Sequence, residues 1–311
     1  MSRFVFGVDI GGTTVKLGLF DIEGELIDKW EIPTRTEENG KNILPDIAKS
    51  IEEKISEKSL EKADIAGIGI GAPGPVDDNG FIHKAANLGW GEFSIKETLE
   101  KITGLKVMAG NDANVAALGE MWKGGAKGYK DVVMVTLGTG VGGGIIVNGK
   151  MLNGYSGAGG EIGHIHVNDD EDESCGCGNK GCLEQYSSAT GITRMGKKVL
   201  ASCDTPSPLR NEEVNAKTIF DAVKAGDEVA SKIAEIYGRY LGGALASIAC
   251  VVNPEVILLG GGVSKAGTVV IDYVRPYYEK NVFHGSRNTH FCLATLGNDA
   301  GIYGAAKLVL E

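Results

Sequence analysis

Three stretches of the 311-residue chain gather side chains able to do chemistry. In DIGGTTVK, an apolar run ends on Asp9 and is followed by Gly11, Gly12, Thr13, Thr14 and Lys16. Glycine amides in such a turn can bind phosphate oxygens, the two hydroxyls can add contacts, and a carboxylate at Asp9 could hold Mg²⁺ through water. The plainer reading is a hairpin turn with no ligand. GxxxxGK[ST] spacing is absent, and the element after the glycines reads as a strand where a dinucleotide fingerprint needs a helix. In GNDANVAA, Asp112 stands where a strand runs into a helix. It reads either as the helix N-cap or as a base that takes a proton from a substrate hydroxyl attacking a phosphoryl group. In GGEIGHIHVNDDEDESCGCGNKGCLEQY, the residues His164, Cys175, Cys177 and Cys182 leave intervals of ten, one and four. Ligand number and type suit a closed Cys₃His zinc site. A redox pair prefers CxxC spacing and the pair here is CxC, while a polar, glycine-rich surround makes a poor apolar core. Spacing does not choose between His164 and His166 as the fourth ligand.

These residues need elements to hold them, and the chain supplies one unit twice. FVFGVDIGGTTVKLGLF (4–20) reads as strand, glycine turn, strand, and DVVMVTLGTGVGGGIIV (131–147) repeats the plan, aligning Asp9 with Thr136 and Gly11 with Gly138. Each is followed by a short hairpin turn, DIEGE or NGK. Two such turns facing each other could clamp one phosphate chain. Elsewhere NILPDIAKSIEEKISEKS has isoleucines at spacing four, the mark of an amphipathic helix. ADIAGIGIGAPG and LKVMAGND read as strands, residues 227–252 as a long helix with Gly238, Gly242 and Gly243 allowing close approach, PEVILLGGGVS as strand, glycine turn and helix start, and GNDAGIYGAAKLVL as a final short helix. Alternating strands and helices predict an α/β protein with sheets flanked by helices. Residues 201–213 are the main loop.

Composition limits what such a protein does. Apolar content of 42% and charged content of 23% are those of an ordinary globular protein, and the length favours two domains. Many of the 47 glycines cluster after apolar runs, a pattern for ligand-approaching loops. A net charge of −10 with no basic stripe argues against nucleic acid as partner. No run approaches the length of a membrane span, and the N-terminal residues do not read as a signal peptide, so a cytoplasmic protein with reduced thiols is expected. Cys203, Cys250 and Cys292 are expected to be buried thiols.

DIGGTTVK, GAPGPV, GNDANVAALGE, TLGTGVGGG, EIGH, CGCGNKGCLE and LLGGGVS, in this order, resemble the ROK family, named for repressors, open reading frames and kinases, within the actin-like ATPase superfamily. The likeness covers essentially the whole chain, EIGH with CxCGxxGCxE being its most specific part, and ANLGW points toward the family's bacterial glucokinases. The resemblance implies two duplicated actin-like ATPase (ribonuclease H-like) domains with a ligand cleft between them: 1–115, 116–297 carrying the metal segment, and a C-terminal helix, 298–311, packing back on the first. It implies ATP-dependent phosphorylation of the glucose 6-hydroxyl, Mg²⁺ with ATP and structural Zn²⁺, with other hexoses or N-acetylhexosamines as alternative substrates. Asp112 then corresponds to the catalytic base, and Asn87, Asn111, Glu161, His164 and Glu184 to sugar contacts, with Gly71 in the sugar-side loop. Gly11, Gly12, Thr13 and Lys16 match the first phosphate segment, Gly138, Thr139 and Gly140 the second, and Gly261 with Gly262 the adenosine-side turn. His164, Cys175, Cys177 and Cys182 match the zinc ligands. A homodimer or larger assembly is implied as well. The family also holds sugar-sensing repressors carrying an additional DNA-binding domain, for which eight residues ahead of Asp9 leave no room.

Overall fold

A computed structural model describes residues 3–311. The duplicated hairpins start two five-stranded sheets of identical order. The first runs β3 (Leu26–Pro33), β2 (Thr14–Asp21), β1 (Phe4–Ile10), β4 (Ile65–Ala72), β7 (Val107–Asn111). A separate two-stranded ribbon, β5 (Phe81–Ile82) with β6 (Phe93–Ser94), lies between β4 and β7 in the chain. The second sheet runs β10 (Lys150–Met151), β9 (Val141–Val147), β8 (Val132–Leu137), β11 (Val256–Gly260), β12 (His290–Leu293). In each sheet the first three strands pair antiparallel and the last two join parallel. The register agrees too: Asp9 lies opposite Gly71 on β4, and Thr136 opposite Gly260 on β11. At the β9–β10 turn Asn148 (φ 53) and Gly149 (φ 77) are both left-handed, the requirement of a tight turn that matches strand twist.

Helices fill the parallel crossovers. The single turn α1 (Glu37–Gly40) and α2 (Ile43–Glu57) join β3 to β4, and α3 (Ile95–Thr103) joins β6 to β7. The isoleucine stripe 43, 47, 51, 55 of α2 is buried on the first sheet, as its spacing predicts. In the second half α5 (Glu184–Ser187), α6 (Ala189–Ser202), α7 (Ala216–Lys224) and α8 (Glu228–Val252) lie between β10 and β11, and α9 (Gly261–Ser264) with α10 (Val269–Asn281) between β11 and β12. Asp227 caps α8 by accepting from the Ala230 amide, and left-handed Asn253 ends it. A Cβ on Gly238 or Gly242 would fall 2.1 or 2.5 Å from a carbonyl oxygen of α10, so the two helices touch backbone to backbone there; Gly243 faces open space.

Each half closes on the other through its last helix. Helix α4 (Asp112–Lys123) follows β7 but packs on the second sheet, while α11 (Ala300–Val309) follows β12 and packs on the first. The two cross where a Cβ on Gly304 would lie 1.7 Å from the Val115 oxygen and one on Gly119 would lie 2.3 Å from the Ala300 oxygen. No helix among the described residues is long and apolar enough to cross a membrane. The expectation for the three remaining cysteines fails: Cys250 is exposed, and Cys203 and Cys292 are half-buried. A helix that buries only one stripe leaves the other positions of its last turn, Cys250 and Val251 here, to solvent.

Candidate functional site

The ends of the central strands of both sheets open into one cleft of about 970 Å³. Asp9, Lys16, Asn87, Asn111 and Asp112 line it from the first half, and Gly138, Gly140, Glu161, His164, Glu184, Gly261 and Gly262 from the second. Residues from every predicted constellation therefore meet in one cavity.

At the junction of β7 and α4, the buried Asn111 is the N-cap. Its Oδ1 accepts from the amides of Ala113 (3.0 Å) and Asn114 (3.1 Å), and its Nδ2 donates to the Gly74 oxygen (3.1 Å). The capping alternative for Asp112 is thereby answered: the neighbouring residue caps, and Asp112, the first helical residue, keeps one oxygen on the Ala113 amide at 2.8 Å and faces the cleft. Burial raises its pKa to about 6; the Ala113 amide pulls the other way, and the nearby negative charges of Asp9 and Glu161 add to the rise. A carboxylate of that pKa is a proton acceptor near neutral pH. Burial also raises the pKa of Asp9, opposed by the ammonium of Lys16.

The two glycine turns differ by one residue. Gly11 N–H donates to the Thr14 oxygen (3.0 Å), whereas Gly138 N–H donates to the Gly140 oxygen (3.0 Å), a tighter loop. The start of α6 holds the second turn by its carbonyls: Ala189 N–H donates to Gly138 (2.8 Å) and Thr190 Oγ1 to Thr139 (2.7 Å). With those oxygens turned away, the amides of Thr139 and Gly140, between the engaged amides of Gly138 and Val141, are left for an anion. Glu184 Oε2 accepts from the Val141 amide at 2.9 Å, and a Cβ on Gly140 would lie 2.2 Å from that oxygen, so any larger residue there would have to displace the carboxylate. Gly261 (φ 81) abuts the end of β8, where a Cβ would come 2.6 Å from the Leu137 oxygen.

Donor atoms of His164, Cys175, Cys177 and Cys182 all lie within 4.8 Å of one another, a set suited to one metal ion. The choice of histidine is made by geometry: His166 is engaged with the Lys180 oxygen (2.9 Å) and Asp169 (2.8 Å), while His164 Nδ1 stands 3.8 Å from Cys175 Sγ. Cys175 Sγ also lies 3.6 Å from Glu184 Oε1. One carboxylate thus connects the donor cluster, the second glycine turn and the cleft.

Some expected residues lie elsewhere. Gly71 is not in a loop; it sits inside β4 between Asp9 and Gly110, where a Cβ would be 3.4 Å from Val115, and it supports the cleft floor. Gly11, Gly12 and Thr13 lie in the first turn, Thr14 opens β2 and Thr139 lies in the second turn, none of them lining the cavity. Cleft residues that sequence reasoning missed include Thr136, Ser264, Lys265, Thr295, Gly297, Asn298 and Gly301. A signal for the last three was present: GNDAG at 297–301 repeats GNDAN at 110–114 at the start of the corresponding helix. The duplicate carboxylate has a different fate, since Asp299 is paired with Lys29 at 2.7 Å.

Comparison with known proteins agrees with this geometry. The ROK family model matches residues 5–311. A glucokinase of Halalkalibacterium halodurans is 44% identical over 316 residues, spanning 100% of this chain and 96% of its own. The crystal structure of a ROK hexokinase from Thermus thermophilus superposes with a TM-score of 0.81 at 32% identity, covering 98% of this chain and 97% of that one. That of a ROK family glucokinase from Streptomyces griseus in complex with glucose and AMPPNP gives 0.74 at 34% identity, covering 98% of both chains.

Proposed function

The chain belongs to the ROK family, and from that premise we infer that it is an ATP-dependent glucokinase, transferring a phosphoryl group from ATP to the 6-hydroxyl of glucose. The observation that carries the reading is the buried Asp112 carboxylate, with its pKa raised to about 6, in a cleft also lined by Asp9 and Lys16, which flank the first glycine turn, by Gly138 and Gly140 of the second, and by His164 and Glu184 of the metal-donor segment.

In this reading Asp112 accepts the hydroxyl proton as the sugar oxygen attacks phosphorus. The turns at Gly11–Thr14 and Gly138–Gly140, with Lys16, hold the phosphates, and Gly261 with Gly262 borders the adenosine. Mg²⁺ carried with ATP neutralises charge on the phosphate oxygens, and Asp9 is the cleft carboxylate suited to hold it through water. Asn87, Glu161, His164 and Glu184 supply sugar contacts, and Asn111 retains one N–H of its amide for the same purpose. Partners matched to hydroxyls and covered by the sugar as it binds reject sugars that leave them unpaired.

The metal is read as structural zinc on His164, Cys175, Cys177 and Cys182. A tetrahedron with Zn–S bonds of about 2.3 Å has edges of about 3.8 Å. The Cys177–Cys182 separation of 3.6 Å and the His164–Cys175 separation of 3.8 Å fit it. With Nδ1 turned to the cysteines, the Nε2 of His164 is left for a sugar hydroxyl, so one ring serves both assignments. The duplicated sheets support an actin-like pair of domains, 1–115 and 116–297, with 298–311 returning to the first. A cytoplasmic homodimer completes the proposal, its assembly measurable by sedimentation.

A coupled assay with purified protein, ATP, Mg²⁺ and a panel of glucose, fructose, N-acetylglucosamine and N-acetylmannosamine tests the reading. Glucose is expected to give the highest kcat/KM; a higher value on an N-acetylated sugar reassigns the substrate.

A further inference from the structure

Beyond the residues assigned to phosphoryl transfer, α4 carries a second carboxylate that is wholly enclosed. Glu120 is 0% exposed. Its Oε2 accepts from the amides of Gly125 (2.7 Å) and Thr295 (3.1 Å), and its Oε1 from that of Leu296 (2.8 Å). Every hydrogen-bond partner it has among the described residues is a backbone N–H. Burying a carboxylate is costly, and several converging amides are one way to replace its water. An apolar side chain would fill the space without that cost. What the charge adds is direction, because it fixes the positions of amides on two separate segments.

Those segments bear on the cleft. Thr295 and Leu296 lead straight into Gly297 and Asn298; Thr295, Gly297 and Asn298 line the cavity, and the Asn298 carbonyl accepts from Lys16 Nζ at 3.1 Å. Asp112 lies eight residues before Glu120 on the same helix, about 12 Å along its axis. One rigid rod therefore carries the base at its first residue and this loop near its other end.

We propose that Glu120 is a positioning residue: by gripping the Thr295 and Leu296 amides it holds the 295–298 segment, whose Asn298 carbonyl anchors the Lys16 ammonium read as a phosphate contact, in fixed register with Asp112. The assignment rests on the glucokinase reading of the cleft. A carboxylate that merely staples the fold would change stability and nothing else. Glu255 provides that control, since it accepts from the amides of Lys130 (2.6 Å) and Asp131 (3.1 Å) and does not line the cleft.

The test compares Glu120→Gln and Glu255→Gln with the unaltered protein, measuring kcat, KM for ATP, KM for glucose and thermal midpoint. Gln keeps one acceptor oxygen and turns an NH₂ toward amides that need an acceptor. Glu120→Gln is expected to raise the ATP KM about tenfold, the effect of one lost charge-assisted hydrogen bond, with glucose KM held within about twofold. Glu255→Gln is expected to lower the thermal midpoint and leave both KM values alone. If Glu120→Gln does not fold, Glu120→Asp, which keeps the charge but reaches fewer amides, carries the same comparison. An unaltered protein that fails to phosphorylate glucose sinks the functional reading. With that activity present, a lowered midpoint and an unchanged ATP KM sink the positioning role.

Discussion

At the scale of single residues the site turns on Asp112 and its neighbour. Asn111 satisfies the first amides of α4, which leaves the Asp112 carboxylate to the cleft with its pKa raised to about 6. Asp112→Asn is expected to lower kcat about 10³-fold while glucose binding, followed by calorimetry, persists. In the unaltered enzyme kcat/KM should fall as pH drops below about 6, where the base becomes protonated. The same shift predicts a stability effect. A folded-state pKa above the ordinary 3.8 means that the folded chain holds this proton more tightly than the unfolded one, so the group weakens the fold increasingly as pH rises through that window. Asp112→Asn should therefore raise the thermal midpoint at pH 8, and the gain should be several-fold smaller at pH 4; an equal gain at both pH values would contradict the assignment. The acidic residue at a strand end was legible in the sequence. Which of two adjacent residues capped the helix was not, because a one-residue difference in helix start exchanges their roles.

At the scale of elements, the segment from Glu161 to Glu184 has little regular structure, and its ends are tied by the four metal donors. His164 lies three residues after Glu161 and Cys182 two before Glu184, so one ion would set both cleft carboxylates. Cys177→Ser is expected to abolish zinc incorporation and raise the glucose KM by at least about tenfold, as loss of a ligand does to structural zinc sites. Zinc loss with an unchanged glucose KM would reduce the cluster to a fold staple. The ligand types and intervals could be read from the chain alone. The choice of His164 over His166 needed the Lys180 carbonyl and Asp169, which occupy the His166 ring.

At the scale of the whole molecule, two similar halves are joined by exchanging their last helices, with α4 on the second sheet and α11 on the first. Their crossing has no room for a methyl group at Gly304. Gly304→Ala should destabilise the protein by at least about 2 kcal/mol in denaturant titration, as overpacking against backbone does. Because the crossing joins the half bearing Asp112 to that bearing the second glycine turn, kcat should fall with it; a neutral substitution would mean that the helices part freely. Closure of such a cleft excludes water that would otherwise take the phosphoryl group.

The sequence by itself determined the α/β class, the duplicated strand–turn–strand unit, an acidic residue at a strand end as candidate base, and three cysteines with either of two histidines as candidate metal donors, since these depend on residue type, periodicity and short spacing. Tertiary structure decided what depends on contacts between distant segments. It set Gly71 in a strand beneath the cleft, engaged Asp299 with Lys29 so that only one of two GNDA motifs presents a free carboxylate, and enclosed Glu120 against amides 175 and 176 residues away in the chain. Local pattern does not report such partners, because a side chain's environment is made by whatever the fold brings beside it.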